Sequence, residues 1–122
     1  MIKGEQLYMA DEQGELLETT MGLIMHGGDA KSNAMEAIHA AKGGKFSEAE
    51  DKIDKAEDSL EKAHKSQSNL LTKEASGDSV ELSLLMVHGQ DHLMNAITTK
   101  DLAVEVIDVY RKLYGQDASS DE

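Results

Sequence analysis

Residues 46–71, FSEAEDKIDKAEDSLEKAHKSQSNLL, contain the plainest structural signal in the chain. A stripe of side chains that are small or apolar, except for Gln67, repeats there every three or four residues, at Ala49, Ile53, Ala56, Leu60, Ala63, Gln67 and Leu70. This is the period of an α-helix with one narrow apolar face. Ser47 followed three residues later by Glu50 predicts a capping box at the start, with Phe46 as the staple residue.

The other faces of this helix carry acidic residues four positions before lysines. The pairs are Glu48–Lys52, Asp51–Lys55, Asp58–Lys62 and Glu61–Lys65. Each such pair adds a few tenths of a kcal/mol to a helix. The turn at residues 75–78, ASGD, predicts the end of the helix, with Asp78 or Ser79 as the next N-cap.

The composition favours an all-α fold. The 122 residues include no proline, which breaks helix interiors, and many good helix formers. No segment shows the sustained alternation of a β-strand. The length indicates one domain.

Residues before the quoted stretch predict a first helix from about Glu15 to Ala41. It has one apolar stripe at Leu17, Met21, Ile24, Met35 and Ile38, and a second at Leu23, Ala30, Ala34, Ala37 and Ala41. Gly27-Gly28 interrupts it, which indicates close packing or a local kink, and Gly43-Gly44 predicts its end. Residues 1–14 have little apolar content, and we expect them to form a flexible acidic tail.

A third helix is predicted from about Ser79 to Tyr114, followed by an acidic tail over 115–122. Its apolar residues cover more than one face. A three-helix antiparallel bundle offers each helix only two neighbours, and each contact needs roughly a 100° stripe. The surplus on the first and third helices predicts a homo-oligomer of a domain that spans 15–114.

The charge and residue types exclude several classes of function. A net charge of −12 and 3% aromatic residues argue against nucleic-acid binding and favour a basic protein partner. The absence of cysteine excludes disulfides and thiolate sites. No apolar run reaches the ~20 residues that span a bilayer, and the N-terminus is not a signal peptide. We expect a soluble cytoplasmic protein without direct membrane insertion.

The stretch LLMVHGQDHLMNAI, residues 84–97, places polar side chains within an apolar helix. At about 100° per residue, Asp91 lies at the centre of a stripe formed by Val80, Leu84, Val87, Thr98, Leu102 and Val109. His88 and His92 lie at its edge, about 60° and 100° away. A buried carboxylate must be protonated, paired or bound to a cation. One possibility is that a lysine or a helix terminus meets Asp91. The other is that symmetry copies of Asp91 converge at the axis of an oligomer and bind a divalent cation such as Mg²⁺.

The histidines allow several interpretations. A helical histidine at a core edge is more often structural than chemical, and His26, His39 and His64 carry no supporting pattern. His88-Gly-Gln-Asp91-His92 resembles the inverted zincin motif with Asp in place of Glu, and two histidines four apart can share a zinc ion. Against a zinc protease, Asp91 points toward the apolar stripe, no third ligand follows, and the chain is short. Paired Glu-x-x-His motifs of di-iron bundles are absent.

The segment V-H-G-Q-D-H-L-M within that stretch resembles the phosphorylation-site helix of the lactose/cellobiose-type enzyme IIA of the phosphoenolpyruvate-dependent sugar phosphotransferase system. Members of that family typically show V-H-A-Q-D-H-L-M. The block MGLIMHGGDAKSNAMEAIHAAKGGKFSEAE resembles the family's first helix and following turn. The likeness runs from about Leu16 to Leu113. The departure is Gly89 where Ala is usual, which removes no functional group.

The resemblance implies a homotrimer of three-helix subunits, with nine helices around a threefold axis. It implies that His88 accepts a phosphoryl group from the phosphohistidine of HPr and passes it to a cysteine of enzyme IIB during sugar uptake, for sugars of the lactose, cellobiose and chitobiose class. It also implies that Asp91 lies near the axis and binds a divalent metal, usually Mg²⁺. A neutral imidazole is a competent nucleophile near pH 7.

Supporting roles are predicted for four further residues. Gln90 and His92 are candidates for shaping the cleft around His88, which we expect between the third helix of one subunit and the first of the next. Glu81 or Thr99 is a candidate for fixing the tautomer of His88. The alternative function is a non-enzymatic helical scaffold, or a metal-stabilised trimer, that binds a basic partner.

Overall fold

The fold consists of three helices. A computed structural model describes residues 2–116, with side chains described from Gln13 onward. The helices are α1 (Ile2–Lys42), α2 (Phe46–Ala75) and α3 (Leu84–Leu113), and residues 2–116 contain no strand. α1 packs against both other helices, which also contact each other. The prediction of an all-α three-helix chain is confirmed.

The core is built largely from alanine. On α1 the second predicted stripe is the buried one, and every member of it is inaccessible to solvent: Leu23, Ala30, Ala34, Ala37 and Ala41. The predicted stripe of α2 is likewise buried from Ala49 to Ala63. Small side chains at 3.6-residue spacing let helix backbones approach closely, so the chain gains dispersion contacts without large apolar groups.

The first predicted stripe of α1 is left on the surface. Leu17, Met21 and Met35 are exposed, and Ile24 and Ile38 are half-buried. α3 has the same two-sided character, with a buried face that includes Leu93, Ala96 and Ile107. Periodicity alone predicted both stripes, but only the packing shows which of them faces the chain's own core.

Two predicted helix starts were wrong. α1 begins at Ile2 instead of Glu15, because the many helix formers of residues 2–14 outweigh the roughly 1 kcal/mol that Gly4 and Gly14 each cost. α3 begins at Leu84 instead of Ser79, because Ser83 is the N-cap and its hydroxyl accepts a hydrogen bond of 3.0 Å from the Met86 amide. Residues 78–83 are therefore a connection.

The structure describes each of the two predicted tails only in part. Flexibility of residues 1–14 stays a prediction, because a helical backbone does not decide how much it moves. At the other end α3 stops at Leu113, and Gly115 adopts a φ of 74°, which favours glycine. The rest of the predicted acidic tail, 117–122, lies outside the described residues.

The predicted capping box at the start of α2 is wrong. Lys45 is the N-cap, and no side chain caps the helix. Glu50 instead accepts a hydrogen bond of 2.5 Å from the guanidinium of Arg111, which is 4% exposed and stacks over the Phe46 ring. A tertiary charge pair with a buried arginine offsets a large desolvation penalty, so it displaces the local cap.

The ion-pair partner of Lys52 also differs from the prediction. Lys52 of α2 forms its ion pair across the bundle with Glu36 of α1, at 2.8 Å, where the sequence predicted Glu48. The hydrogen bond from Lys52 lowers the pKa of the Glu36 carboxyl, and Glu36 raises the pKa of Lys52. Because both groups are at the surface, this pair adds little to stability.

Candidate functional site

His88 lies one turn into α3, on the surface of the bundle. Its side chain is exposed, and that of His92 one turn later is half-buried. The two Nε2 atoms are 3.0 Å apart, which is a hydrogen-bond distance, and the rings meet edge to face with centroids 4.4 Å apart. The two imidazole rings are therefore in direct contact, and the role of His92 beside His88 stays a prediction.

The helix that carries the two histidines is held tightly against α1. A Cβ placed on Gly27 would lie 3.1 Å from the backbone carbon and oxygen of His92. A Cβ on the buried Gly89 would lie 3.3 Å from the backbone oxygen of Thr20. Glycine at both positions lets the helices approach more closely than alanine would, which confirms close packing as the role of Gly27.

Gln90 points away from the histidine pair within this chain. It lies about 160° around α3 from His88. Its Oε1 accepts a hydrogen bond of 2.7 Å from Gln67 of α2, and its Nε2 contacts the Met86 sulfur. These contacts hold α2 to α3, so Gln90 supports the position of the helix. A role in a cleft shared with another subunit stays a prediction.

His92, not Thr99 or Glu81, is the residue that contacts the His88 ring. The Thr99 hydroxyl donates to the backbone oxygen of Asn95 at 2.7 Å, as side chains often do one turn back in a helix. Glu81 lies in the connection before α3, in a surface cavity with Gln13 and Leu16. The i,i+4 spacing of the histidines was the sequence signal for their contact.

Asp91 is exposed in the single chain, on the face of α3 opposite the core. The core-facing residues of this chain lie about 160° around the helix from it. Its place near the axis of an oligomer stays a prediction. Residues 13–116 include no cluster of three His, Asp or Glu side chains that could hold a metal ion.

Four exposed apolar residues lie on the same side of α3 as Asp91, and we call this surface the Asp91 face. Its members are Leu84, Val87, Leu102 and Val109, which are exposed by 87%, 54%, 60% and 56%. Exposed apolar patches of this kind mark sites of association.

No helix within the described residues is both long and apolar enough to cross a membrane.

Comparison with known proteins assigns the chain to a family. The family model for the PTS system, lactose/cellobiose-specific IIA subunit, matches residues 18–111. The chain belongs to this family. A relative from Bacillus subtilis, the lichenan-specific phosphotransferase enzyme IIA component, is 48% identical over 87% of this chain and 96% of its own length.

Solved structures of IIA subunits share the fold. The cellobiose-specific enzyme IIA of Bacillus anthracis has a TM-score of 0.80 at 46% identity, over 82% of this chain and 92% of that one. The IIA(chitobiose) of Escherichia coli, solved in complex with HPr, has a TM-score of 0.71 at 36% identity, over 81% of this chain and 96% of its own. This IIA subunit is thus a phosphotransferase component for sugar uptake.

Proposed function

We propose that His88 is the residue on which this IIA subunit carries the phosphoryl group. The observation that supports it is an exposed imidazole on a rigid helix, with an edge-to-face partner 3.0 Å away. The donor is HPr and the acceptor is the cysteine of an enzyme IIB. Both are proteins that must reach His88 from solvent, which fits its exposure and its place beside an apolar surface.

The transfer consists of two displacements at phosphorus. A ring nitrogen of His88 attacks the phosphorus of phospho-HPr, a new N–P bond forms, and the electron pair of the old N–P bond returns to the HPr imidazole. The IIB thiolate then attacks the phosphorus on His88, and the breaking N–P bond returns its pair to the His88 ring. Alignment and charge stabilisation supply most of the catalysis in such transfers.

His92 is the positioning residue for this chemistry. In a pair of neutral imidazoles one Nε2 donates and the other accepts, so the contact fixes both ring orientation and tautomer. When His88 becomes phosphorylated, the N–H of His92 is placed to donate to a phosphoryl oxygen instead. Charge-assisted hydrogen bonds of that kind are roughly twice as strong as neutral ones.

The Asp91 face supports the proposal of a homotrimer around a threefold axis. Its apolar residues lie opposite the core of their own chain, as they must if they pack on copies of themselves. Three Asp91 carboxylates at the axis would supply hard oxygen ligands to Mg²⁺ and relieve their mutual repulsion. We also propose that the protein acts in the cytoplasm.

An Asp91→Leu variant separates the metal from the assembly. An apolar residue of similar size replaces a buried charge without loss of packing. Analytical ultracentrifugation should show trimers for both proteins, and metal analysis after dialysis against Mg²⁺ should find the ion only in the native one. A variant that sediments as monomers would contradict this account of Asp91.

Intact mass after incubation with phosphoenolpyruvate, enzyme I and HPr tests the carrier role. We expect one acid-labile phosphoryl group per chain on the native protein and none on His88→Ala. His64→Ala is the matched control, because His64 is also an exposed helical histidine, and it should accept the group normally. No gain on the native chain would favour the scaffold alternative, and a gain that survives in His88→Ala would place the carried group on another residue.

A further inference from the structure

The two Nε2 atoms of the histidine pair are close enough together to bind one ion. They lie 3.0 Å apart on one face of α3, and His88 is exposed. Two imidazole ligands on one tetrahedral zinc ion, each at about 2.0–2.1 Å, have nitrogens about 3.3 Å apart. A shift of a few tenths of an ångström by side-chain rotation converts the observed pair into a chelate.

We infer that His88 and His92 form a bidentate site for a borderline transition-metal ion such as Zn²⁺, and that this ion competes with the phosphoryl group for His88. The ion takes the place of the shared proton between the two Nε2 atoms. Both rings then carry their proton on Nδ1, and water fills the remaining coordination positions. Binding needs no third protein ligand, in agreement with the absence of a larger cluster in residues 13–116.

This site is chemically distinct from the proposed axial site. Imidazole ligands favour Cu²⁺, Zn²⁺ and Ni²⁺, whereas a carboxylate site favours Mg²⁺. The other three histidines of the chain, His26, His39 and His64, have no histidine four residues away. The pair is therefore the one place in the chain where helical spacing alone builds a histidine chelate.

The metal ion and the phosphoryl group compete because both bind through the same lone pair of His88. A metal ion on Nε2 of His88 occupies the lone pair of that nitrogen and lowers the nucleophilicity of the ring. A phosphoryl group on that nitrogen in turn leaves no lone pair for the metal. Each ligand must therefore weaken the binding of the other. The metal site stands on geometry alone, while its inhibitory effect rests on His88 being the phosphoryl acceptor.

Zinc binding is measured first, by calorimetric titration with ZnCl₂ in excess Mg²⁺, which saturates any carboxylate site. We expect one ion per chain, and both His88 and His92 ring nitrogens should shift in ¹⁵N NMR spectra. Loss of the chelate partner in His92→Ala should weaken binding by at least about tenfold. His39→Ala should bind zinc as the native protein does. Equal binding by His92→Ala and the native chain would overturn the inference.

The inhibitory effect is measured with phospho-HPr that has been separated from enzyme I. At a zinc concentration about ten times the dissociation constant, phosphoryl acceptance should slow about tenfold. Chelation by EDTA should restore the native rate. In His92→Ala, whose zinc affinity is at least about tenfold weaker, the ratio of rates without and with zinc should fall to about two or less, whatever its own rate is.

The outcomes separate the two proposals. Zinc binding by the pair in a chain that is phosphorylated elsewhere would keep the metal site and remove the carrier role of His88. Normal phosphorylation of His88 in a chain that binds no zinc at the pair would remove the metal site and keep the carrier role. Zinc that binds the pair while the transfer rate stays unchanged would refute the competition.

Discussion

Replacing Gly27 with alanine tests whether α1 holds the histidine helix in place. The added Cβ would lie 3.1 Å from the carbon and oxygen of the His92 backbone and 3.2 Å from the Leu93 nitrogen. Ordinary contacts between carbon atoms are about 3.5–4.0 Å. All three neighbours are backbone atoms, which cannot rotate aside, so the two helices must separate by a few tenths of an ångström.

The expected magnitude is the difference between two opposing effects. Overpacking of a well-packed site destabilises a protein by about 1–3 kcal/mol. Alanine in place of a helical glycine recovers roughly 1 kcal/mol. We therefore expect Gly27→Ala to lower the free energy of unfolding by up to about 2 kcal/mol.

Gly22→Ala is the matched control on the same helix, because a Cβ there meets nothing within 4 Å. It should raise the free energy of unfolding by about 0.5–1 kcal/mol through helix propensity alone. Urea unfolding at one fixed protein concentration measures both changes, since the stability of an oligomer depends on concentration. If Gly27→Ala proved as stable as Gly22→Ala, the close approach at His92 would not be a constraint and the reasoning would be refuted.

Further predictions concern the same measurement at other positions. Leu93→Ala removes a fully buried side chain and should lower the free energy of unfolding by about 2–5 kcal/mol; a loss below 1 kcal/mol would contradict its place in the core. Glu50→Gln weakens the ion pair with the buried Arg111 and should lower the free energy of unfolding by about 1–2 kcal/mol. Lys100→Gln weakens a partly exposed ion pair and should lower it by less than about 0.5 kcal/mol. Equal losses at both positions would refute the distinction. Gly44→Ala forces a non-glycine residue into a φ of 78° against the Tyr114 ring and should cost about 1–3 kcal/mol; an unchanged unfolding midpoint would show that the turn tolerates a side chain.

Local sequence patterns predicted much of this protein because their causes are local. The spacing from Ala49 to Ala63 specifies a helix and its buried face, and Gly44 supplies the positive φ that ends α1. Helix starts were harder to predict. Ser47 offered a cap that the chain does not use, because Glu50 is bound to an arginine 61 positions later. No local pattern reveals such a competitor.

At the functional site, too, some features follow from the sequence and others only from the tertiary structure. The sequence alone determined the family motif, the i,i+4 placement of His88 and His92, two apolar stripes on α1, and an apolar band on α3 that covers more than one face. Only the tertiary structure decided which stripe faces the core, and thereby that Asp91 lies on the outside of its own chain. The physical reason is that periodicity fixes the angle between side chains on one helix, whereas the choice of neighbour depends on how residues such as Gly27 allow two backbones to meet.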